Sequence, residues 1–169
     1  EIGKSRIEAL SDGIFAIVMT LLILELHVPK LPATAANVEV VQLFAVLHDS
    51  KRKNEGYDPD HGQKAADFAF SLSGKLFHLS DEAFDLLYGA CAGHTHVRTH
   101  PDITIQTCWD ADRLDLGRVG ILPEPSRLCT EEAKTPDLIR WANRRACSYR
   151  VPEIVLADWG IDLEKERAG

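Results

Sequence analysis

His48 and Asp49 stand side by side at the end of an apolar run, Val40-Val41-Gln42-Leu43-Phe44-Ala45-Val46-Leu47. A second acidic cluster, Trp109-Asp110-Ala111-Asp112-Arg113-Leu114-Asp115, comes later in the chain. A neutral imidazole beside a carboxylate suits borderline divalent ions such as Mn, Fe, Co, Ni or Zn. Neighbours on a helix diverge by about 100°, yet at a helix end both side chains can turn onto one cation. A remote aspartate, Asp112 or its neighbour Asp110, can close the site. Such a centre suits phosphate chemistry, because a bound divalent ion acidifies water and polarises a phosphoryl oxygen.

Further histidines follow the pair. His61 opens a helix in Asp58-Pro59-Asp60-His61-Gly62, and His94 and His96 straddle Thr95 in a loop. Each is a candidate for a second ion or for a substrate phosphate. His100, beside Pro101, reads as structural. Lys51, Arg52 and Arg113 are candidate phosphate contacts; a guanidinium three residues after the pair can offer phosphate a forked donor. Glu55 and Asp58 are both candidate general bases, and nothing in the spacing selects between them.

These residues need helices to hold them. Asn37 is a plausible N-cap for a helix over Val38 to Leu47. Polar turn formers over Lys51 to Asp60 predict a loop. Ala65, Ala66, Phe68, Ala69 and Leu72 recur at helical spacing over 61–72. Ser80-Asp81-Glu82 starts another helix, with Phe84, Leu86, Leu87 and Cys91 on its inner side, and Gly93 to Pro101 breaks it. A further helix spans Ile103 to Leu116 with the acidic cluster, and another Pro136 to Ala146. Glu164 to Arg167 reads as a solvated helix end. No useful strand alternation appears, so the expected fold is all-α.

The N-terminal part differs in character. Gly13 to Leu24 carries no charge, Ser11 and Asp12 can cap its start, and Pro29 and Pro32 end it. It is apolar on every side, which fits a buried, an oligomer-facing or a membrane helix equally, and it is shorter than the ~18 uncharged residues of a convincing span. Pro32 to Ala36 reads as a joint. The expected organisation is an apolar helix over 1–33 and a helical domain over 34–169.

The 169 residues suffice for a real core, and 45% hydrophobic with 27% charged residues is ordinary for a folded chain. A net charge of −7 argues against nucleic acid as a partner. The four cysteines are widely spaced, with no C-x-x-C pair, which predicts reduced, buried thiols and no zinc finger. No cleavable signal segment is read, so the expected location is cytoplasmic, with membrane association through the N-terminal helix as a further expectation.

Two resemblances sharpen this. Arg6-Ile7-Glu8-Ala9-Leu10-Ser11-Asp12, continuing to Leu22, resembles the first transmembrane helix of the lysosomal-type potassium channel family and its bacterial relatives, over about residues 3–31. That family carries an Arg, three residues, then Phe-Ser-Asp; Leu10 stands where the Phe is expected. The resemblance implies that Ile17, Leu21 and Leu24 match an apolar pore constriction. Channels of this kind need several spanning helices per subunit, and none is read after residue 33, so channel activity is not carried over.

From about residue 37 to 150 the chain resembles the HD-domain metal-dependent phosphohydrolase superfamily. The residues that carry it are Leu47-His48-Asp49, the polar loop Ser50-Lys51-Arg52-Lys53-Asn54-Glu55, and Ala111-Asp112-Arg113-Leu114. The resemblance implies an HD-like helical bundle, with an extra apolar helix in front. It implies a divalent ion (Mn, Fe, Co, Ni, Zn or Mg) on His48, Asp49 and Asp112, and catalytic roles for Asp49, Arg52, His61 and His94. The implied activity is hydrolysis of a small phosphorylated substrate, nucleotide-like in kind. One departure matters: the family's first His ligand lies upstream, where this chain has the channel-like helix and only His27. Loss of one of four ligands predicts weakened metal affinity and impaired activity. The arrangement is what a fusion or chimera of two families would give. The alternative expectation is a non-catalytic HD-like module whose residues 13–28 touch a membrane or build a homo-oligomer.

Overall fold

The computed structural model describes residues 36–53 and 58–148. The channel-like segment, its expected boundary with the helical domain, His27, Glu55 and the C-terminal charged tail lie outside the described residues. Within them the fold is all-helical: α1 (Val38–Leu47), α2 (His61–Leu72), α3 (Asp81–Gly93), α4 (Ile103–Leu114) and α5 (Pro136–Cys147), with 3-10 turns at Asp115–Val119 and Pro125–Arg127. None of the described helices is long and apolar enough to cross a membrane.

Local signals in the chain set most of these boundaries. The Asn37 side chain accepts from the Val40 amide, Ser80 accepts from Ala83, and Asp102 accepts from Thr104 and Ile105, each satisfying first-turn donors that have no helical partner. Pro136 sits in the first turn of α5, where a missing N–H costs nothing.

α3 is central and packs on α1, α2 and α4. Val40, Val41, Phe44, Leu87, Cys108 and Trp109 make the shared core. Ala65, Ala66 and Ala69 on α2 and Ala90 on α3 are fully covered, so small side chains let these two helices approach closely. A second, smaller cluster joins Leu114, Leu128 and Ala133 to Ile139 and Ala142 of α5. Asp110 ties the two halves together: its carboxylate accepts from the Cys129 amide at 2.6 Å and from the Thr130 amide and hydroxyl at 2.9 and 2.8 Å.

Two expectations need correction. The helix expected over Ile103 to Leu116 ends at Leu114, and the chain tightens into a 3-10 turn. α5 presses on that turn. A Cβ at Gly117 would lie 2.5 Å from Asn143 Oδ1, and Gly120, at φ 79°, ends the turn in a conformation that favours glycine. Of the four thiols, all unpaired, Cys91 and Cys108 are buried as expected, but Cys129 is partly exposed and Cys147 exposed. Cys147 occupies the last position of α5, beyond the reach of the core.

Candidate metal centre

The geometry of three histidines defines the site. His48 follows the last turn of α1, His61 opens α2 and His94 follows the last residue of α3. In each ring Nδ1 lies against a backbone carbonyl: His48 on Phe44 at 2.9 Å, His61 on Asp58, and His94 on Cys91 at 2.8 Å. A carbonyl only accepts, so each Nδ1 carries the proton and donates it. In the neutral rings that leaves three bare Nε2 lone pairs, and all three face inward. His61 Nε2 and His94 Nε2 are 3.0 Å apart. Two lone pairs at that distance repel unless a proton or a cation sits between them. Two ligands at about 2.1 Å on one octahedral ion would stand about 3.0 Å apart.

Asp49 supplies the negative charge. Its Oδ1 lies 3.1 Å from His61 Nε2 and 3.4 Å from His94 Nε2, and Asp49, His61 and His94 converge closely enough to hold one ion. Its Oδ2 faces His48 Nε2 at 3.8 Å and Arg52 at 3.3 Å. Asp112 Oδ1, on the last turn of α4, is 3.6 Å from His48 Nε2. The two His48 separations exceed a hydrogen bond, and His48 Nε2 is buried with no hydrogen-bond partner. Buried polar atoms are rarely left so. An orphaned imidazole nitrogen aimed at two carboxylates fits a divalent ion of the borderline class. Asp49 thus turns one oxygen to His61 and His94 and the other to His48; among the described residues the group that converges on one point is Asp49, His61 and His94, not the expected set of His48, Asp49 and Asp112.

The electrostatics agree with that geometry. Burial opposes a charge on His48, but Asp112 and Asp49 outweigh it and push the ring up to about 9. His61 is raised, chiefly by Asp49. Burial alone would raise Asp49 and Asp112; hydrogen bonding to His61 and His94 lowers the first below its ordinary range, and His48 lowers the second.

The structure therefore brings His48, Asp49, Asp112, His61, His94 and Arg52 together. Other candidates go elsewhere. Asp110 points to the far side of α4, as described. Lys51 stacks over the Phe68 ring at 3.5 Å. Arg113 donates to the carbonyls of Val97, Arg98 and Arg127, which makes it a brace for two loops. Asp58 accepts from the Lys53 amide and lies beside Lys64. His96 is exposed at the cleft edge. His100 packs edge-on against Trp109 and accepts from the Asp102 amide, a structural role as expected.

The centre opens into a cleft of about 980 Å³ that runs past Arg98, Arg118 and Leu122. Arg98, Arg118 and Arg127 are cleft cations that the sequence reading did not single out; the spacing Asp115-x-x-Arg118 was a signal for one of them. Gly62 supports the centre from behind. A Cβ there would lie 2.7 Å from the Cys91 carbonyl and 3.1 Å from His94 Nδ1, the two partners of the bond that orients His94. With Asp49, His61 and His94 read as ligands of an ion, Gly62→Ala is expected to lower its affinity about tenfold, the usual penalty for disturbing a group that orients a ligand. Titration of Mn²⁺ into the variant and the parent measures it.

Comparison with known proteins adds one finding. Residues 6–50 match the family described as the endosomal/lysosomal potassium channel TMEM175. The match reaches α1 and the His48-Asp49 pair. No curated protein and no solved structure matches the chain.

Proposed function

We propose that this chain is a metal-dependent phosphohydrolase of the HD type, acting on a small nucleotide-like phosphoester. The observation that carries the reading is the facing pair of Nε2 atoms, His61 and His94 at 3.0 Å, with both Nδ1 protons committed to backbone carbonyls and Asp49 beside them. His48, Asp49 and Asp112 would hold one divalent ion, and His61 and His94 with Asp49 a second. When bound, such an ion acidifies a water and polarises a phosphoryl oxygen. Asp49 would share that second ion with His61 and His94 and offset its charge. Arg52, beside Asp49 at the cleft, is placed to meet negative charge that develops on a phosphate. The three backbone carbonyls hold each imidazole in the one tautomer that presents Nε2 to the site.

Protein purified without chelator is expected to carry a divalent ion by elemental analysis and to hydrolyse phosphomonoesters. His48→Ala should lower both metal content and hydrolysis at least about tenfold. Absence of metal, together with no effect of His48→Ala on hydrolysis, would overturn the reading.

The match of residues 6–50 to a channel family favours a second reading, in which the N-terminal segment anchors a helical module to a membrane or assembles an oligomer. Partitioning of the full chain decides it. A monomer that stays in the aqueous phase without detergent at high concentration would sink it.

A further inference from the structure

The large apolar side chains left on the surface are not spread evenly. Eight are exposed among the described residues, and four of them, Val97, Val119, Ile121 and Leu122, line the cleft onto which Asp49, His61 and His94 open. Their exposures run from 36% for Val97 to 64% for Leu122. Single exposed apolar residues are ordinary on a folded chain. A group of them within one concavity marks a place where an apolar ligand surface is covered.

The backbone beneath these side chains is held in place. The 3-10 turn at Asp115–Val119 ends in Gly120, and the Gly120 and Ile121 amides donate back to the Gly117 and Leu116 carbonyls at 3.0 and 3.1 Å. Gly117 is wedged against Asn143 and Ala146 of α5. The Val97 carbonyl accepts from Arg113, which also holds the Arg127 carbonyl. Aliphatic groups on a backbone fixed this way lose little freedom when a ligand covers them. Size points in the same direction. The cleft measures about 980 Å³, at the upper end of the roughly 300–1,000 Å³ of small-molecule sites, and a lone phosphate fills only a small part of it. Charged and metal-ligating groups on one side with aliphatic groups on another fit a ligand that has an anionic head and an apolar body.

We infer that Val119, Ile121 and Leu122, with Val97, bind an apolar body carried by the substrate's phosphate, so that the cleft selects phosphoesters of apolar alcohols and ring systems over those of polyols. The inference rests on the phosphohydrolase reading, in which the phosphate lies at His48 and Asp49. A bilayer or a second copy of the chain also covers apolar side chains, but these four share a concavity with Asp49, His61 and His94, which a small ligand fills better than either.

The test is calorimetric titration of the full chain, with Mn²⁺ present, using three phosphonates that share one head and differ in body: phenyl, butyl and hydroxyethyl. The phenyl and butyl compounds are expected to bind about tenfold more tightly than the hydroxyethyl one, the effect of covering roughly 60 Å² of apolar surface. Ile121→Ser and Leu122→Ser should each lower that preference about threefold, and the double variant should bring it to within about twofold. Both side chains are more than half exposed, so the variants should melt as the parent does. Leu76→Ser, at an exposed apolar side chain between α2 and α3, should keep the full preference. A full preference in the double variant overturns the inference, as does an equal loss in Leu76→Ser. Loss of vesicle binding or of a dimer in the double variant, with the preference intact, assigns the wall to a membrane or to a second copy and overturns it as well. An uncharged naphthylamine dye separates this inference from the reading beneath it. Dye fluorescence that the double variant abolishes, in a chain that takes up no phosphonate, keeps the apolar wall and overturns the phosphate. Mn²⁺-dependent binding of all three phosphonates with equal strength keeps the phosphate and overturns the wall.

Discussion

Under the proposed phosphohydrolase function, Asp49→Asn is expected to abolish metal retention and phosphoester hydrolysis while leaving the helical fold in place. The carboxylate touches every part of the centre: Oδ1 faces His61 and His94, and Oδ2 faces His48 and Arg52. Asparagine keeps the volume but removes the charge, and its NH₂ can occupy one of the Nε2 lone pairs with a proton. Loss of a shared ligand should lower affinity by at least about a hundredfold, beyond the 10–100-fold typical of the groups that merely orient ligands. The cost to stability should be small, about 1 kcal/mol. Breaking a buried ion pair is severe when it strands a permanent charge, but His61, raised chiefly by Asp49, can release its proton once that carboxylate is gone, and His48 keeps Asp112 as its partner. Elemental analysis reads the first effect and thermal melting by circular dichroism the second. Metal retained at parental stoichiometry would remove Asp49 from the centre.

Much of the helical framework was legible because its signals are local. Asn37 and Ser80 announce helix starts through their side-chain oxygens, and α1 and α2 occupy the ranges that apolar spacing predicts. The preference for Asp112 over Asp110 came from the family resemblance and not from a local signal. Residues two apart on a helix point about 200° from one another, so one had to face away; the structure turns Asp112 to His48 and Asp110 to the 129–130 segment. The fate of the cations was not legible. Arg113 looked like a phosphate contact, but the carbonyls of Val97, Arg98 and Arg127 converge on it only in three dimensions. Lys51 was claimed by Phe68, a partner on another helix. The helix end at Leu114 depends on the approach of α5 to Gly117, which no local spacing encodes. The three histidines were visible as candidates, but their shared tautomer was not, since it depends on the carbonyls of Phe44, Asp58 and Cys91 lying where each ring turns.

Trp109→Ala is expected to produce the largest loss of stability of any change considered, about 3–5 kcal/mol from the lost side chain and its cavity. Trp109 is among the largest fully buried side chains, 1% exposed, at the junction of α3 and α4. Its indole Nε1 donates to the Ala90 carbonyl at 2.9 Å, so truncation also removes a buried hydrogen bond worth about 1 kcal/mol. Domains of this size are stable by only about 5–15 kcal/mol, so a large fraction of the margin disappears. The indole also fills the space that Gly93 leaves; a Cβ at Gly93 would lie 2.8 Å from the ring. Gly93 is the residue before His94, and Trp109 lies one turn before Asp112 on α4, so the cavity opens directly behind two groups of the centre. Trp109→Phe keeps most of the volume and should cost about 1–2 kcal/mol. Urea unfolding measures both, as a shift in midpoint with an unchanged slope. Divalent metal at a hundred times its dissociation constant should return about 2.7 kcal/mol to the parent, and less to Trp109→Ala, because the cavity loosens the site that binds it. Equal stabilisation of parent and variant by metal would show that the ion is held elsewhere.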